Sequence, residues 1–346
     1  MNYKINKYFI WFPKKKIFFK LYNLIKFYLS KKNKNLNLNF LPITMDIEPT
    51  TGCNFRCTMC QVSSPNFVSK NLDFEMFKKT IEDNKQLLKI KLQGMGEPLV
   101  NKKFFDMVNF ASKHGIVSEI TTNGSMLTKE NIFKLLNSNL SRITISIDGA
   151  SKETFEKIRI KSNFNNVIEN CKNLVENFKR KFIRPEISAW CVVQNDNISE
   201  FDKIYELCKK IGFDKLTYQF YLSGWGKDEW NKINKNKRIE LNQIKNKIDE
   251  IKIRGAKEGM DINIFDENLL SFSNQCVWPW ESTYISKTGD VVPCCIIGDE
   301  KVISFGNVKE KSFKQIWNSE SYQNFRDNIR NNKIPDYCKN CYKEFN

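Results

Sequence analysis

Three cysteines close together in the sequence are the residues of this chain best suited to chemistry. Cys53, Cys57 and Cys60 are separated by three and then two residues, in the stretch Thr-Gly-Cys-Asn-Phe-Arg-Cys-Thr-Met-Cys. Three thiolates on one loop can bind three irons of a 4Fe–4S cluster. Because no fourth cysteine is near, one iron would keep an open coordination position at which a substrate or cofactor could bind.

Zinc binding and a disulfide are alternative interpretations of the same thiols. Zinc is usually held by four ligands in CxxC pairs or in Cys and His combinations, and the one histidine, His114, lies far away in the sequence. The chain has 11 cysteines but no export signal, so reduced thiols in a cytoplasmic protein are the expectation. The cluster is therefore the leading interpretation of the three cysteines.

Positive charge is concentrated at the amino terminus. Residues 1–42 contain ten lysines and no acidic residue, which gives +10 of the net charge of +17. Within this segment Lys16, Lys20, Asn23 and Lys26 recur at helical spacing opposite an apolar side, which predicts a basic amphipathic helix. The lysines interrupt the apolar run, so the helix cannot span a bilayer. It could instead dock on the main domain or contact the inner face of a membrane peripherally.

From residue 43 onward, short apolar strands alternate with amphipathic helices. This alternation predicts an α/β fold with a parallel sheet, either open or rolled into a partial barrel. Chemistry in such folds lies at the carboxyl ends of the strands, where the cysteine loop, residues 94–98, residues 122–124 and Asp148 are all expected. His114 ends a helix and precedes a strand, so we expect it on the opposite face in a structural role.

The carboxyl-terminal third of the chain loses this alternation. Residues 223–261 are Lys-rich and predict a helical bridge between two domains. Residues 262–346 contain a hairpin signal at 287–289 and a single amphipathic helix at 312–330.

The Cys-x3-Cys-x2-Cys loop after the first strand, followed by Gly94-Met95-Gly96-Glu97-Pro98 after the second, resembles the radical S-adenosylmethionine (SAM) enzymes. The resemblance implies a partial (β/α)6 TIM-like barrel over residues 43–222. It also implies reductive cleavage of SAM to a 5′-deoxyadenosyl radical at a 4Fe–4S cluster held by the three cysteines.

The resemblance also implies which residues bind SAM. Gly94, Gly96 and Glu97 would hold its amino group, because glycine lets the backbone approach closely and a carboxylate suits an ammonium. At the end of the fourth strand, Ser146 and Asp148 match positions that touch the ribose. For Arg159 there are two alternatives: it would bind the SAM carboxylate, or it would form a surface ion pair.

A second set of cysteines lies near the carboxyl terminus and resembles the auxiliary-cluster extension called SPASM, or twitch in its shorter form. Its members are Cys276, Cys294 at the end of a Gly-x4-Cys motif, and the Cys338-x2-Cys341 pair. Four thiolates imply one auxiliary 4Fe–4S cluster in which no iron has an open position. Such a cluster would transfer electrons. Cys295 is a rival ligand and, if it is not a ligand, a candidate hydrogen-atom donor; a zinc knuckle is the structural alternative.

One auxiliary cluster favours an oxidation. The predicted enzyme is a radical SAM oxidoreductase that oxidises an alcohol to a ketone, or epimerises its substrate, with the auxiliary cluster as electron acceptor. The expected partners are a small or sugar-like substrate, lipid-linked ones included, and a flavodoxin- or ferredoxin-type reductant. The candidate substrate pocket consists of Tyr218, Gln219, Tyr221, Trp225, Asp228 and Glu229.

Three other functions compete with this prediction. A peptide-modifying maturase is the main alternative. An RNA-modifying enzyme is less favoured because the barrel lacks a basic and aromatic patch, so nucleic acid is not an expected partner. An iron–sulfur carrier would have no use for the Gly94–Pro98 loop. The remaining thiols, Cys171, Cys191 and Cys208, are predicted to lie in the core.

Overall fold

A single large sheet organises the protein in the computed structural model. The structure describes residues 17–30, 33–220, 222, 224–239, 241–265 and 276–342. The strands of the sheet are β1 (Thr44–Ile47), β2 (Lys89–Leu92), β3 (Val117–Thr122), β4 (Leu140–Ser146), β5 (Glu186–Val192), β6 (Lys215–Gln219), β7 (Asp261–Phe265), β8 (Tyr284–Ile285) and β9 (Val291–Val292).

The strand order in the sheet is β9-β8-β1-β2-β3-β4-β5-β6-β7. All neighbouring strands are parallel except β8 and β9, which form an antiparallel hairpin. The predicted α/β class with a partial barrel is confirmed, and the barrel strands follow one another in sequence order. Strand β7 is a seventh parallel strand that continues the sheet across the predicted border between the helical bridge, 223–261, and the auxiliary-cluster domain, 262–346. The predicted domain limits themselves stay predictions.

Helices cover the outer face of the sheet, and several of them begin at side-chain caps. They are α1 (Ile17–Ser30), α2 (Phe74–Asp83), α3 (Phe104–Lys113), α4 (Lys129–Leu136), α5 (Lys152–Ile158), α6 (Phe164–Lys179), α7 (Phe201–Ile211), α8 (Asp228–Lys235), α9 (Lys245–Glu258), α10 (Trp278–Glu281), α11 (Phe313–Trp317) and α12 (Glu320–Arg330). Asp73 caps α2 by accepting a hydrogen bond from the backbone N–H of Met76. The single helix expected at 312–330 is wrong: Ser319 caps a new helix, α12, and so divides it.

The two faces of the sheet differ in polarity. Along β2, Ile90 and Leu92 are fully buried in the core, whereas the alternate residue Lys89 forms an ion pair of 3.1 Å with Glu119 on β3. Arg142 on β4 continues this polar row with a 2.6 Å contact to Glu186 on β5. The period of two along each strand therefore separates an apolar outer face from a polar barrel interior.

Helix α1 docks on the barrel through the side that carries Lys20 and Asn23. The ammonium of Lys20 is fully buried and donates to the carbonyls of Leu87, at 2.6 Å, and Gly115, at 2.7 Å. Asn23 exchanges two hydrogen bonds with the backbone of Leu41. Docking on the main domain is therefore observed, and peripheral contact of this helix with a membrane stays a prediction. No helix among the described residues is long and apolar enough to cross a bilayer.

Replacing Lys20 by methionine should detach α1 from the barrel. The change removes two charge-assisted hydrogen bonds and leaves two buried carbonyls without this donor, so we expect a loss of about 2–3 kcal/mol in the free energy of unfolding. Lys26→Met is the matched control, because the Lys26 ammonium lies 4.3 Å from the ring of Tyr22 on the same helix and makes no such backbone contact. Urea unfolding of both variants measures the difference, and equal losses would contradict the docking role of Lys20.

Candidate functional site

The cysteine loop lies at the carboxyl end of β1 and lines a cavity of about 460 Å³. The backbone of Arg56 and Cys57 pairs with that of Ile160 and Arg159 in a short antiparallel ladder, which holds the loop over the barrel. Cys53, Cys57 and Cys60 all line this cavity. The three predicted ligands of the first cluster are therefore brought together at the expected edge of the sheet.

Nearby donors point at the sulfur atoms of this loop. The backbone N–H of Phe55 lies 3.4 Å from Cys53 Sγ, and the Asn123 amide lies 3.9 Å from the same atom. Burial raises the pKa of the Cys57 thiol to about 11 and that of Cys60 to about 12. These thiols would therefore have to release protons when they bind a metal, and N–H donors would stabilise the resulting thiolates.

The residues 94–97 form the next wall of the cavity. Glu97 is buried, and its carboxylate accepts hydrogen bonds from the Thr122 hydroxyl at 2.7 Å and from the backbone N–H of Asn123 at 2.6 Å. Burial raises its pKa to about 7, although these donors favour the charged form. In this structure, Glu97 therefore connects the loop after β2 to the end of β3 through hydrogen bonds, beside the predicted SAM site.

Gly96 is needed because two loops meet at its Cα. A Cβ at this position would lie 2.4 Å from the carbonyl oxygen of Gly52 and 2.6 Å from that of Thr50. The backbone N–H of Glu97 also donates to the Gly52 carbonyl at 2.8 Å. The glycine thus allows the 94–97 loop to pack directly on the chain that leads into Cys53.

Replacing Gly96 by alanine should push the cysteine loop out of place. We expect a destabilisation of about 1–3 kcal/mol from overpacking and a lower iron content after cluster reconstitution. Gly298→Ala is the matched control, since its Cβ would meet nothing closer than 3.4 Å. Iron analysis and thermal unfolding test the prediction; equal iron content in the two variants would contradict it.

Glu48 is a buried carboxylate that sequence reasoning missed. Its Oε1 accepts from the backbone N–H of Met95 at 2.9 Å, and its Oε2 lies 4.0 Å from the ammonium of Lys287. Burial raises its pKa to about 7, against the effect of Lys287. It thus connects β1, the 94–97 loop and the β8–β9 hairpin. The sequence did contain a signal for this site, because Glu48 directly follows the first strand and lies two residues after Asp46. The apolar residues around it, however, suggested only a core position.

The remaining predicted SAM-binding residues separate into two groups. Ser146 and Arg159 line the cavity, whereas Asp148 is fully buried below it. Asp148 forms an ion pair of 2.6 Å with Arg159 and accepts from the backbone N–H of Val192 at 2.8 Å. Burial opposes the charge on Arg159, but Asp148 and then Cys57 raise its pKa, so the guanidinium stays charged. Their predicted contacts with SAM stay predictions.

The four carboxyl-terminal cysteines also come together. Cys276 precedes α10, Cys294 follows β9, and Cys338 and Cys341 lie on a 3-10 turn at Asp336–Cys341. Burial, followed by the proximity of Cys295 and then of Cys276, Cys341 and Cys338, raises the pKa of Cys294 well above its ordinary value. The backbone N–H of Cys276 donates to the hydroxyl of Tyr342 at 3.2 Å, which closes the chain end over the group.

Cys295 faces a different environment from Cys294. It lines the cavity together with Tyr284 and Trp278, whereas Cys294 does not. Burial and the Asp46 carboxylate raise the pKa of Cys295 to about 12, and Lys91 acts in the opposite direction. Asp46 and Lys91 are paired in register on β1 and β2, so Cys295 lies beside polar groups of the barrel interior.

Only part of the predicted substrate pocket lines the cavity. Gln219 and Trp225 do so, and Gln219 accepts a 2.7 Å hydrogen bond from the indole of Trp190. Tyr218 is wrong as a pocket residue, because its hydroxyl donates to the Phe201 carbonyl inside the core. Asp228 and Glu229, at the start of α8, do not line the cavity either. Tyr221 lies outside the described residues.

Three aromatic residues of the cavity wall were not predicted from the sequence, whereas His114 and the core cysteines lie where they were expected. Trp190, Phe265 and Trp278 line the cavity and were not predicted, because single aromatics in strands and short helices read as core. His114 contacts the Phe110 carbonyl through Nδ1 at 3.0 Å, away from the site. The three cysteines predicted as core residues, Cys171, Cys191 and Cys208, are all fully buried.

The donor sets fit iron–sulfur clusters better than zinc. One zinc ion with Zn–S bonds of about 2.3 Å would hold its thiolates within about 4 Å of one another. Zinc sites also commonly include histidine, and His114, the one histidine of the chain, lies away from both groups of thiols. Three thiols beside a cavity and four thiols away from it match one cluster with an open iron and one without.

Sequence profiles of two domain families match this chain. The profile of the Radical SAM superfamily matches residues 47–208, and that of an iron-sulfur cluster-binding domain, SPASM, matches residues 276–342. The two matches include the three loop cysteines and all four carboxyl-terminal cysteines, and they leave strands β6 and β7 between them.

Several known proteins are similar to this chain over most of their length. A tungsten-containing aldehyde ferredoxin oxidoreductase cofactor-modifying protein from Pyrococcus furiosus is 28% identical, over 85% of this chain and 86% of its own. A cysteine-type anaerobic sulfatase-maturating enzyme from Clostridium novyi is 27% identical, over 86% and 85%. The crystal structure of Streptococcus suis SuiB bound to precursor peptide SuiA has a TM-score of 0.69 at 16% identity, covering 90% of this chain and 71% of SuiB.

The expectation of a small sugar-like substrate, lipid-linked or free, is corrected by these comparisons. The sulfatase-maturating relative acts on a protein, and the structurally similar SuiB holds a precursor peptide. The sequence prediction was based on the number of clusters, which indicates an oxidation. That number contains no information about the molecule that is oxidised, so the choice of a sugar had no support from the residues.

Proposed function

Because this chain belongs to the radical SAM superfamily and carries a SPASM cluster-binding domain, we propose that it is a maturase that modifies a peptide or protein. Its cofactors are SAM, a 4Fe–4S cluster that binds SAM and one auxiliary 4Fe–4S cluster. When bound, SAM and the reduced cluster supply a 5′-deoxyadenosyl radical that can remove hydrogen from a substrate C–H bond.

One observation carries the proposal: a single cavity is lined both by the cysteine loop and by residues of the SPASM region. Cys53 and Gly94 lie on its wall from the barrel, and Trp278 and Tyr284 lie on its wall from the carboxyl-terminal part. A volume of about 460 Å³ is in the usual range for one ligand, so SAM would leave room for little more than one side chain. A peptide can present one side chain there and keep its backbone outside.

The chain's own residues would have separate tasks in this reaction. Cys53, Cys57 and Cys60 would hold the SAM-binding cluster. Arg159, fixed by Asp148, would keep positive charge beside Cys57, whose Sγ lies 3.9 Å away. The aromatic side chains that line the cavity would exclude water from a reactive carbon.

The test is a comparison of substrate classes. Reconstituted enzyme with SAM and dithionite, kept anaerobic, should form 5′-deoxyadenosine faster when short peptides encoded beside its gene are added, and one of these peptides should change in mass. Sugars and aminocyclitols serve as the matched alternative class. Faster formation with sugars but not with peptides would overturn the proposal.

A further inference from the structure

The side chains of Cys294 and Cys295, two consecutive residues after β9, point in different directions. Cys294 has φ −167° and ψ 174°, an extended conformation, and a 3-10 turn begins at Cys295. In extended chain, successive side chains point to opposite sides. Cys294 accordingly belongs to the group of Cys276, Cys338 and Cys341, whereas Cys295 lines the cavity. Cys295 is close enough to Cys294 and Cys341 to interact with them electrostatically, but its position in the cavity wall favours Cys294 as the ligand of the auxiliary cluster.

Cys295 is a thiol without a role in the function proposed above. Among the described residues, the cavity is lined by four thiols: three on the cysteine loop, and Cys295. The cysteine loop follows β1, whereas Cys295 follows the β8–β9 hairpin, so the two lie on separate parts of the wall. The Cys295 S–H bond is weaker than the C–H and N–H bonds of the other side chains there. The phenolic O–H bond of Tyr284 is of similar strength, but it is hydrogen-bonded to Glu48, so Cys295 is the residue best able to give a hydrogen atom to a carbon radical.

We infer that Cys295 donates a hydrogen atom to the substrate radical. Removal of a hydrogen atom from the substrate leaves a carbon radical; the S–H bond of Cys295 then breaks and a new C–H bond forms on that carbon. The sulfur is left as a thiyl radical, which regains one electron from a low-potential one-electron reductant and one proton from water. Because hydrogen leaves and returns from separate sides of the cavity, the substrate class is a peptide whose stereocentre is inverted without net oxidation.

This inference rests on the proposed radical chemistry, and it can be tested without knowing the peptide. Thiol hydrogens exchange with solvent, but carbon-bound hydrogens do not. When reconstituted full-length enzyme cleaves SAM in D2O with dithionite and no substrate, the 5′-deoxyadenosine should carry one deuterium taken from Cys295. The deuterium should be lost in Cys295→Ala and in Cys295→Ser, whose O–H bond is too strong to donate. Cys171→Ala, which removes a core thiol, should retain it.

Iron content provides a second readout. Cys295→Ser should keep the iron of both clusters, whereas Cys294→Ser should lose the iron of one. Loss of a cluster from Cys295→Ser, or deuterium in its 5′-deoxyadenosine at the wild-type level, would overturn the inference, as would wild-type product without deuterium. If wild-type enzyme with full iron content forms no 5′-deoxyadenosine at all, the proposed function fails instead, and the inference falls with it.

Discussion

Replacing Cys57 by alanine should abolish SAM cleavage while leaving the auxiliary cluster in place. Cys57 is fixed by the ladder with Arg159 and lies at the centre of the loop, so its loss removes one of three ligands and the charged contact with Arg159. We expect iron to fall from about eight to about four atoms per chain. The rate of 5′-deoxyadenosine formation should fall by at least about 10³-fold, as when a component of a catalytic unit is removed.

Two other cysteine variants make this result specific. Cys294→Ala should also lose about four irons but should retain reductive SAM cleavage, because that thiol lies in the other group. Cys171→Ala, a substitution in the core of α6, should keep both clusters. Full iron content in Cys57→Ala would contradict the assignment of the open cluster to the loop at 53–60. The same holds if Cys294→Ala loses SAM cleavage while Cys57→Ala retains it.

Replacing Asp148 by asparagine should produce the largest loss of stability. The change leaves the Arg159 guanidinium, which is only 7% exposed, without its ionic partner. Breaking a buried ion pair from one side costs about 3–5 kcal/mol because the remaining charge stays desolvated. Since Arg159 also pairs with the backbone of Cys57, the variant should bind less iron in the first cluster. Urea unfolding and iron analysis measure the two effects.

An exposed ion pair is the matched control for this variant. Glu130 and Lys134 lie four residues apart on α4 and are separated by 2.6 Å. Because both side chains are well exposed, Glu130→Gln should cost less than about 1 kcal/mol. If Asp148→Asn costs no more than Glu130→Gln, the Asp148–Arg159 pair does not hold the cysteine loop.

The sequence was sufficient to predict the parts of the fold that depend on local pattern. The alternation of short apolar strands with amphipathic helices from residue 43 onward predicted the parallel sheet and its helices. Strand β7 was missed because its pattern is half exposed in the structure and follows a long Lys-rich helix, so the sequence resembled a linker. The division between α11 and α12 was missed because Ser319 lies within a continuous amphipathic pattern.

Long-range pairing decided the features that the sequence did not reveal. Lys20 has the pattern of a solvent-facing lysine, and its burial is stabilised by the carbonyls of Leu87 and Gly115, which lie far along the chain. Likewise Asp148 and Arg159 were each assigned to SAM, but the fold places their charges within 2.6 Å of each other. The separate directions of Cys294 and Cys295 depend on backbone angles that no residue type dictates.

The cysteine spacing, by contrast, indicated chemistry directly. Three closely spaced thiols need no tertiary information to suggest a cluster, because the loop itself brings them together. The second group could be predicted only through its resemblance to known domains, since Cys276 and Cys341 are far apart in sequence. Neither group indicates the substrate, and the sugar prediction was wrong for that reason.

Deuterium transfer from a peptide tests the central claim most directly. The short peptides encoded beside the gene would be prepared with deuterated amino acids and incubated in ordinary water with reconstituted enzyme, SAM and dithionite. If the chain is a radical SAM maturase, one of these peptides will be modified and the 5′-deoxyadenosine will gain one mass unit of deuterium from it. Formation of unlabelled 5′-deoxyadenosine, with every peptide unchanged, would contradict the claim.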